Sequence, residues 1–198
     1  MYIAGIDEAG RGPILGPMAI AGVKIDREEE GNFKRIGVKD SKKLTRKRRE
    51  KLYPLILEMA EAKIIMVEPK EIDSRSLTDI EAEKFAFLAR GLSADLTYVD
   101  CVGAISFSSL LNDILEDMAL VVSHKGDVLY PVVSAASIIA KVQRDWAIDD
   151  LAKKYGEIGS GYPADKRTID FLRGYLEENG CLPECARKRW RVDLDPFK

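Results

Sequence analysis

The 198 residues of the chain are 46% hydrophobic and 32% charged, with a formal net charge of −2. This length and balance fit a single folded domain over residues 1–198 and exclude a disordered chain, while the net charge gives no general attraction to nucleic acid. No apolar run approaches the roughly 20 residues that span a bilayer, and no signal peptide is visible, so we expect a cytoplasmic protein without membrane contact. A monomer is the simplest assumption.

The N-terminal third of the chain predicts an antiparallel meander. Tyr2 to Ile6 is a short apolar stretch, a connection rich in glycine and proline follows, and Met18 to Ile25 is again rich in β-formers. We interpret these segments as paired strands, with Lys63 to Val67 as the third strand. Before that strand, Leu44 to Ala62 has helical spacing, and Pro54 predicts that this helix is kinked or restarted.

The rest of the chain alternates between helical and strand patterns. Thr78 and Glu81 match a capping box at the start of a helix, and Leu96 to Val99 is a short strand that ends at Asp100. The later predicted elements are a helix over Ile105 to Met118, a strand over Leu120 to Val122, a long amphipathic helix from Val132 to about Tyr155, and a helix from Lys166 to Glu178 that stops at Gly180. Antiparallel strands followed by strand–helix alternation predict an α/β fold, with a mixed sheet between helices.

Acidic residues stand where predicted strands end. Asp7 and Glu8 follow the first strand, Asp100 ends a later one, and Asp127 precedes the long helix. Because the ends of distant strands can meet at one edge of an α/β sheet, these acids are candidates for one site. Successive residues of a regular strand point to opposite faces, so Asp7 and Glu8 share a site only if the strand ends or is distorted there, as Gly10 allows.

Clustered carboxylates in a cleft repel one another unless cations neutralise them. Oxygen ligands suit Mg²⁺ or Mn²⁺ rather than zinc, and two such ions about 3.5–4 Å apart can activate water and stabilise the leaving oxygen of a phosphodiester. Taken singly, each acid is more simply explained as a solvated or helix-capping residue. Spacing alone does not decide between these explanations.

Two basic runs and three cysteines are the other features that could carry chemistry. Residues 39–51 and 187–191 are typical of solvated helix faces and are alternatively nucleic-acid contacts, the second with Trp190 as a packing or stacking platform. An odd number of cysteines does not make a disulfide framework, and with His124 as the only histidine no zinc site is expected. A disulfide between Cys181 and Cys185 stays open for a hyperthermophilic source.

Six blocks that surround these acids occur in a fixed order: GIDEAGRGPILGP (5–17), VKDSKKL (38–44), YVD (98–100), HKGD (124–127), SAASIIAK (134–141) and GSGYPAD (159–165). The series closely resembles ribonuclease HII over nearly the whole chain, with the compact length of archaeal members. This resemblance implies an α/β ribonuclease H-like fold, a five-stranded mixed sheet flanked by helices, with a small C-terminal helical part at about 164–198. One departure is Gly126, where family members often have alanine, which adds flexibility beside Asp127.

The resemblance implies a ribonuclease H that hydrolyses the RNA strand of RNA–DNA hybrids and cuts 5′ to ribonucleotides embedded in duplex DNA. Its products would be a 3′-hydroxyl and a 5′-phosphate, and its role the removal of misincorporated ribonucleotides and RNA primers. The family's catalytic, metal-binding acids map onto Asp7, Glu8, Asp100 and Asp127, which would hold two divalent ions, Mg²⁺ or Mn²⁺. His124 is then structural rather than a general base.

The resemblance also implies substrate contacts. The turn Gly10-Arg11-Gly12, called the GRG turn below, matches the element that holds the backbone around the selected ribonucleotide. There, glycines admit a sugar, and the 2′-hydroxyl separates RNA from DNA. Tyr162 matches a tyrosine near the sugar at the RNA–DNA junction. Further candidates are Asp40, Ser41, Lys42 and Lys43, together with Lys141 and Arg144, for which a salt-bridged helix face is an equal explanation.

Two other functions stay open on the sequence. A junction resolvase of the same superfamily would share the acids without a reader of the 2′-hydroxyl, and a non-catalytic hybrid-binding module would use metals only to bridge phosphates. The GRG turn and Tyr162 disfavour the first, and four intact carboxylates disfavour the second. The tail from Val192 to Lys198 shows no convincing sliding-clamp peptide, so a clamp partner is undecided.

Overall fold

The computed structural model describes residues 1–101 and 105–190, apart from the side chain of Ile105. Within them, the strands are β1 Tyr2–Ala9, β2 Met18–Asp26, β3 Glu61–Val67, β4 Leu96–Asp100 and β5 Leu120–Ser123. They form one five-stranded sheet of order β3-β2-β1-β4-β5. β1, β2 and β3 are antiparallel, and β4 and β5 run parallel to β1. The predictions of a meander and of a mixed sheet are confirmed.

β1 lies between an antiparallel and a parallel neighbour. Its pairing with β2 continues to Ala9, whereas its pairing with β4 ends at Ile6. The expectation that the strand ends or is distorted at Asp7 and Glu8 is wrong, because β2 still supplies hydrogen-bond partners on one side. The edge of β1 that faces β4 changes instead, because β4 no longer pairs with β1 beyond Ile6.

Helices cover both faces of the sheet. They are α1 Gly31–Ile36, α2 Arg46–Met59, α3 Pro69–Ile72, α4 Leu77–Leu92, α5 Ile105–Ile114, α6 Gly126–Leu129, α7 Pro131–Tyr155 and α8 Lys166–Asn179, with a 3₁₀ turn at Ser41–Lys43. Alternation along the strands separates two apolar cores. One core joins Ile3 to α1, α2 and α7, and the other joins Ile6 to α4 and α5. A third cluster joins Ile14 and Leu15 to α7, α8 and residues 185–186.

The capping box predicted at Thr78 and Glu81 is wrong, and of the two outcomes predicted at Pro54 the restart is excluded while the kink stays a prediction. α2 runs through Pro54 without a break, and Leu52 and Ile56 on either side of the proline are buried. Their packing outweighs the hydrogen bond that proline removes. α4 follows Ser76, which makes no side-chain cap, and the carboxylate of Glu81 binds a distant arginine instead of closing a capping box with Thr78.

The chain after α8 returns to the sheet. α8 ends at Asn179 and is capped by Gly180, the predicted stop, whose backbone is left-handed with φ of 68°. Ala186 then forms an isolated bridge with Leu15, so this segment packs beside the turn that follows β1. Residues 191–198, which belong to the expected C-terminal part and include the tail considered for clamp binding, lie outside the described residues.

Two further observations concern the cysteines and the length of the helices. The thiols of Cys101, Cys181 and Cys185 are all free, so the open disulfide alternative is not formed. None of the helices within residues 1–101 and 105–190 has the length and apolar character that a bilayer span requires.

Candidate active site

The ends of β1 and β4 bring three of the predicted acids to one pocket. Asp7 and Asp100 are the next residues on these parallel strands after their last paired positions, Ile6 and Val99. Both side chains are buried, and with Glu8 they line a pocket of about 290 Å³, called the acid pocket below. Its other lining residues are Ala9, Gly10, Arg11, Gly12, Ser41, Lys42, Ser137, Lys141 and Tyr162.

Asp127, the fourth acid, lies beside this pocket rather than in its lining. It belongs to α6 and is 2% exposed. Its Oδ2 is 3.5 Å from Nζ of Lys42, which does line the pocket. The preceding residue, Gly126, donates its backbone N–H to Oδ1 of Asp100 at 2.6 Å. This bond attaches α6 to the end of β4. Asp127 therefore reaches the pocket through its ion pair with Lys42.

Gly126 permits the close approach of α6 to β4. A Cβ on this residue would lie 3.1 Å from Cα of Asp100 and 3.3 Å from the carbonyl oxygen of Val99, closer than ordinary van der Waals contact. Both atoms belong to the backbone of β4, so a methyl group would have to push helix and strand apart. Glycine here permits a tight spacing between α6 and the end of β4, and the expectation that it adds flexibility beside Asp127 stays a prediction.

Burial and mutual repulsion make these acids hard to ionise. Burial and the charge of Asp100 raise the pKa of Asp7 to about 7. Burial, followed by the charges of Asp7 and Glu81, raises the pKa of Glu8 well above its ordinary value. Burial, aided by the charge of Asp127, also raises the pKa of Asp100. A cation at the pocket would relieve this electrostatic cost.

Nitrogen donors partner the carboxylates. Oδ1 of Asp7 accepts from the backbone N–H of Glu8 at 2.8 Å, and Asp100 accepts from Gly126 as described above. Burial disfavours the charged form of Lys42, but the neighbouring acids, Asp127 foremost, outweigh it and raise the pKa of that ammonium. Lys42 therefore carries a firm positive charge at the edge of the acid pocket.

The oxygen-only donor set fits Mg²⁺ or Mn²⁺ in its chemistry, because these ions prefer carboxylates. The side chains are not arranged around an ion, however. Within residues 1–101 and 105–190, no group of three or more His, Cys, Asp or Glu side chains lies close enough to hold a metal ion. Asp100 and Asp127 face Gly126 and Lys42 instead, so binding of an ion requires carboxylates to exchange these donors for it.

Two serines of α7 support the acids, although neither stood out in the sequence. Ser137 is hydrogen-bonded to Asp7, and its Oγ lies 2.8 Å from Oγ of Ser41. Ser134 donates its hydroxyl to the carbonyl oxygen of Asp127 at 2.5 Å. Both serines are buried. The signal that could have found them is a pair of polar residues at helical spacing inside an apolar helix face.

A buried arginine from the C-terminal segment holds the GRG turn. Arg187 is 2% exposed, and its guanidinium donates to the carbonyl oxygens of Gly10 at 2.7 Å, Arg11 at 3.0 Å and Gly16 at 3.0 Å. Burial and the charge of Arg144 lower its pKa to about 10. Arg187 therefore braces the turn from inside the molecule, and its burial rules out the nucleic-acid contact considered for it.

The rest of the basic segment 187–191 is also held by the protein. The indole of Trp190 packs on Arg187, whose Cζ lies 5.4 Å from the ring centroid. The backbone N–H groups of Lys188 and Arg189 donate to Asp73 at 2.9 and 3.1 Å. These contacts favour the packing alternative for Trp190. The last residue of the segment lies outside the described part of the chain.

Tyr162 lines the acid pocket and is backed by Arg144, whose Cζ lies 5.0 Å from the ring centroid. Arg144 is 3% exposed and donates to the carbonyl oxygen of Ser160 at 2.6 Å. Lys141 lies in the pocket lining, with its Nζ 3.3 Å from Oδ1 of Asp145. The burial of Arg144 favours the salt-bridged explanation over a phosphate contact.

The 3₁₀ turn divides the candidates at 40–43 between two surfaces. Ser41 and Lys42 line the acid pocket, while Asp40 and Lys43 line a neighbouring groove of about 320 Å³. Asp40 caps the turn, because its Oδ1 accepts from the backbone N–H of Lys42 at 2.9 Å. Its Oδ2 lies 3.6 Å from Nζ of Lys43. Asp40 thus has a structural role in shaping the turn.

His124 is not among the described residues that line the acid pocket. Its Nδ1 lies 3.0 Å from the carbonyl oxygen of Cys101, the residue after Asp100. The contact ties the loop that follows β5 to the end of β4. This position agrees with a structural histidine rather than a general base.

The order of this mixed sheet, its two helical layers and the buried acids where β1 and β4 part define a ribonuclease H-like nuclease. The family model described as Ribonuclease HII matches residues 4–192. The chain is 47% identical to a protein of that name from Thermococcus kodakarensis over an alignment of 200 positions, gaps included, which covers 97% of this chain and 88% of the relative. The chain belongs to the ribonuclease HII family.

Solved structures agree with this assignment. The ribonuclease H2 from Pyrococcus horikoshii OT3 superposes with a TM-score of 0.89 at 44% identity and covers 96% of this chain and 94% of that one. A complex of PCNA with ribonuclease HII from Archaeoglobus fulgidus contains a chain that matches with a TM-score of 0.89 at 38% identity, over 97% of this chain and 96% of that one. The protein is therefore a ribonuclease H, a metal-dependent endonuclease that degrades the RNA of RNA–DNA hybrids.

Proposed function

We propose that this ribonuclease H cuts on the 5′ side of a ribonucleotide, either embedded in duplex DNA or within the RNA strand of a hybrid, and leaves a 3′-hydroxyl and a 5′-phosphate. The observation that carries the proposal is one pocket lined by the acids at the strand ends, by the GRG turn and by Tyr162. The residues proposed for hydrolysis and those proposed to read the sugar therefore line the same pocket. Such a cut removes misincorporated ribonucleotides and RNA primers.

The proposed catalytic and metal-binding residues are Asp7, Glu8, Asp100 and Asp127. When bound among them, two divalent ions, Mg²⁺ or Mn²⁺, would supply Lewis-acid activation of water and stabilisation of the leaving 3′-oxygen. The chain contributes acids that ionise reluctantly without a cation, so they gain most when one is bound. Ser137 and the N–H of Gly126 hold Asp7 and Asp100 in the free protein, and Asp100 would release this N–H to take up an ion.

In this proposal, the GRG turn selects RNA over DNA. At Gly12, a Cβ would meet no described atom within 4 Å, so the space beside this glycine is open, and in this proposal the ribose occupies it. The 2′-hydroxyl that reaches this main chain separates RNA from DNA. Tyr162, fixed on Arg144, supplies a ring for the sugar at the RNA–DNA junction. Phosphate contacts are assigned to Arg11, Ser41, Lys42, Lys43 and Lys141.

One assay separates this function from the two alternatives. Three labelled substrates, a DNA duplex with a single ribonucleotide, an RNA–DNA hybrid and an all-DNA junction, are each incubated with Mn²⁺ and with EDTA. We expect cuts 5′ to the ribonucleotide that vanish with EDTA, and products whose 3′ ends a polymerase extends. Cleavage of the junction would indicate a resolvase, and binding without cuts would indicate a binding module. Either result contradicts the proposed function.

We further infer a cytoplasmic monomer, because the acid pocket is built within one chain and the proposed substrates are genomic duplexes. The solved Archaeoglobus fulgidus relative is described as a complex with PCNA, so a sliding clamp is the partner to test. Light scattering on the full chain measures its oligomeric state. Repeating the measurement after mixing with an archaeal PCNA measures clamp binding. A dimer mass contradicts the monomer, and unchanged masses on mixing contradict clamp binding.

A further inference from the structure

Arg11 is held at the acid pocket by one buried acid of α4. Its Nε donates to Oε1 of Glu81 at 2.8 Å. The side chain of Glu81 is 6% exposed and that of Arg11 is 36% exposed. Among the described residues, neither head group makes another hydrogen bond or ion pair. Within the described part of the chain the pairing is therefore exclusive, and it joins a partly exposed arginine side chain to a carboxylate that water barely reaches.

The contact uses only one edge of the guanidinium. Glu81 binds Nε, which leaves the two terminal nitrogens of Arg11 for a ligand in the pocket that this residue lines. Paired N–H groups of this kind match a phosphate. The main chain of Arg11 is fixed separately, because Arg187 donates to its carbonyl oxygen at 3.0 Å. Both the backbone and the head group of Arg11 are thus anchored before any substrate binds.

We propose that Glu81 is a positioning residue, which orients the Arg11 guanidinium so that its terminal nitrogens bind a phosphate of the substrate strand. This inference rests on the proposed function and adds a residue to it. Water cannot replace the arginine as the hydrogen-bond partner of a buried carboxylate. The ion pair therefore stays formed, whereas a pair with an exposed carboxylate would open more often. An arginine held in this way loses less conformational entropy when it binds a phosphate.

Two variants of Glu81 remove the same charge and differ in the acceptor. Glu81→Gln keeps an oxygen that can accept from Nε, whereas Glu81→Met has similar length and no such oxygen. We expect the Met variant to have a KM for the single-ribonucleotide duplex about tenfold above that of the Gln variant, the effect of one lost charge-assisted hydrogen bond, with kcat within about twofold. Fluorescence anisotropy in EDTA measures binding without a metal ion, and we expect the Kd of the Met variant to exceed that of the Gln variant.

The Arg11→Ala background tests whether Glu81 acts through Arg11. In that background, the Gln and Met variants are expected to bind the duplex equally. The matched control is Glu83→Gln on the same helix, because Glu83 is exposed and paired with Arg75, and its KM is expected to stay unchanged. A difference between Gln and Met that persists without Arg11 overturns the inference, as do equal KM values in the wild-type background.

A merely structural role for Glu81 predicts a different pattern. It would lower the melting temperature and the active fraction, seen in kcat, without a selective change in KM, and that result also overturns the inference.

If the Met variant does not fold, Glu81→Asp replaces it, because aspartate keeps the charge and withdraws the acceptor by one methylene. A raised KM is then expected, and an unchanged KM contradicts the inference. Failure of the wild-type protein to cut would refute the proposed function alone, since anisotropy still measures the Glu81 effect.

Discussion

The ammonium of Lys42 lies 3.5 Å from Oδ2 of Asp127 and joins an exposed side chain to a buried acid. This ammonium stands where a cation neutralises a proposed metal ligand, so Lys42 and a divalent ion compete for Asp127. A substrate phosphate, by contrast, attracts the same lysine. Under the proposed function, we therefore expect Lys42 to oppose metal binding in the free protein and to favour substrate binding.

We expect Lys42→Ala to tighten Mn²⁺ binding by about three- to tenfold and to raise KM for the duplex by a similar factor, as the loss of one nearby charge implies. Calorimetric titration with Mn²⁺ and steady-state kinetics measure the two effects. Lys51→Ala, on the exposed face of α2, is the matched control. Unchanged Mn²⁺ affinity in Lys42→Ala would show that the lysine does not compete with the ion.

The two glycines of the GRG turn have different surroundings, so their alanine variants should differ. Gly10 has a φ of +90°, and a Cβ there would lie 3.1 Å from Cγ of Arg144 and from the carbonyl oxygen of Pro17, whereas Gly12 has open space. We expect Gly10→Ala to lose about 1–3 kcal/mol of stability, and Gly12→Ala to keep its melting temperature but lose at least about tenfold in kcat/KM. Thermal melts and cleavage assays separate the two. Full activity in Gly12→Ala would mean that no ribose uses this space.

Asp127→Asn tests the fourth acid, which lies beside the pocket. The amide keeps the volume of the side chain and removes the charge that a divalent ion needs, so we expect turnover to be nearly abolished while the fold stays intact. Circular dichroism and melting temperature check the fold, and single-turnover cleavage with Mn²⁺ checks the chemistry. Undiminished cleavage would remove Asp127 from the site.

The sequence predicted those features that depend on local pattern. Short apolar stretches rich in β-formers located the strands, and the end of one strand at Asp100 placed an acid at the sheet edge. The ordered family blocks then indicated which acids and which turn belong together. Asp7 and Asp100 do meet at one pocket, because the last parallel pair of β1 and β4 lies immediately before them.

Partners from distant parts of the chain were not predictable in this way. Thr78 and Glu81 match a capping box locally, yet Glu81 binds Arg11, 70 positions away. The segment around Arg187 looks like a solvated basic run, yet Arg187 binds Gly10, 177 positions away. A local pattern sets only a weak preference, and a buried ion pair or a set of unpaired carbonyl oxygens outweighs it once the chain is packed.

The pKa of Asp7 predicts how pH acts on the metal-free protein. Its value rises from 3.8 to about 7 on folding, so between these pH values the folded state holds a proton that the unfolded state has released. Stability from this group is fully present below pH 3.8 and is lost as the pH rises through 7. We expect the melting temperature in EDTA to fall over this window, Mn²⁺ to restore it at pH 8, and Asp7→Asn to flatten the dependence. An equally steep dependence in Asp7→Asn would assign it to other groups.

Arg187→Met tests whether the hydrogen bonds from Arg187 stabilise the GRG turn. The substitution removes three hydrogen bonds from a charged donor and leaves the carbonyl oxygens of Gly10, Arg11 and Gly16 without it. We expect a loss of about 3–5 kcal/mol in the free energy of urea unfolding and a smaller loss for Arg187→Lys, which keeps the charge but not the planar fork. Arg189→Met, which removes one exposed contact to the carbonyl oxygen of Arg75, should cost under about 1 kcal/mol. If Arg187→Met unfolds at the wild-type urea concentration, the turn is held by other contacts, and the C-terminal segment does not control the shape of the ribonucleotide site.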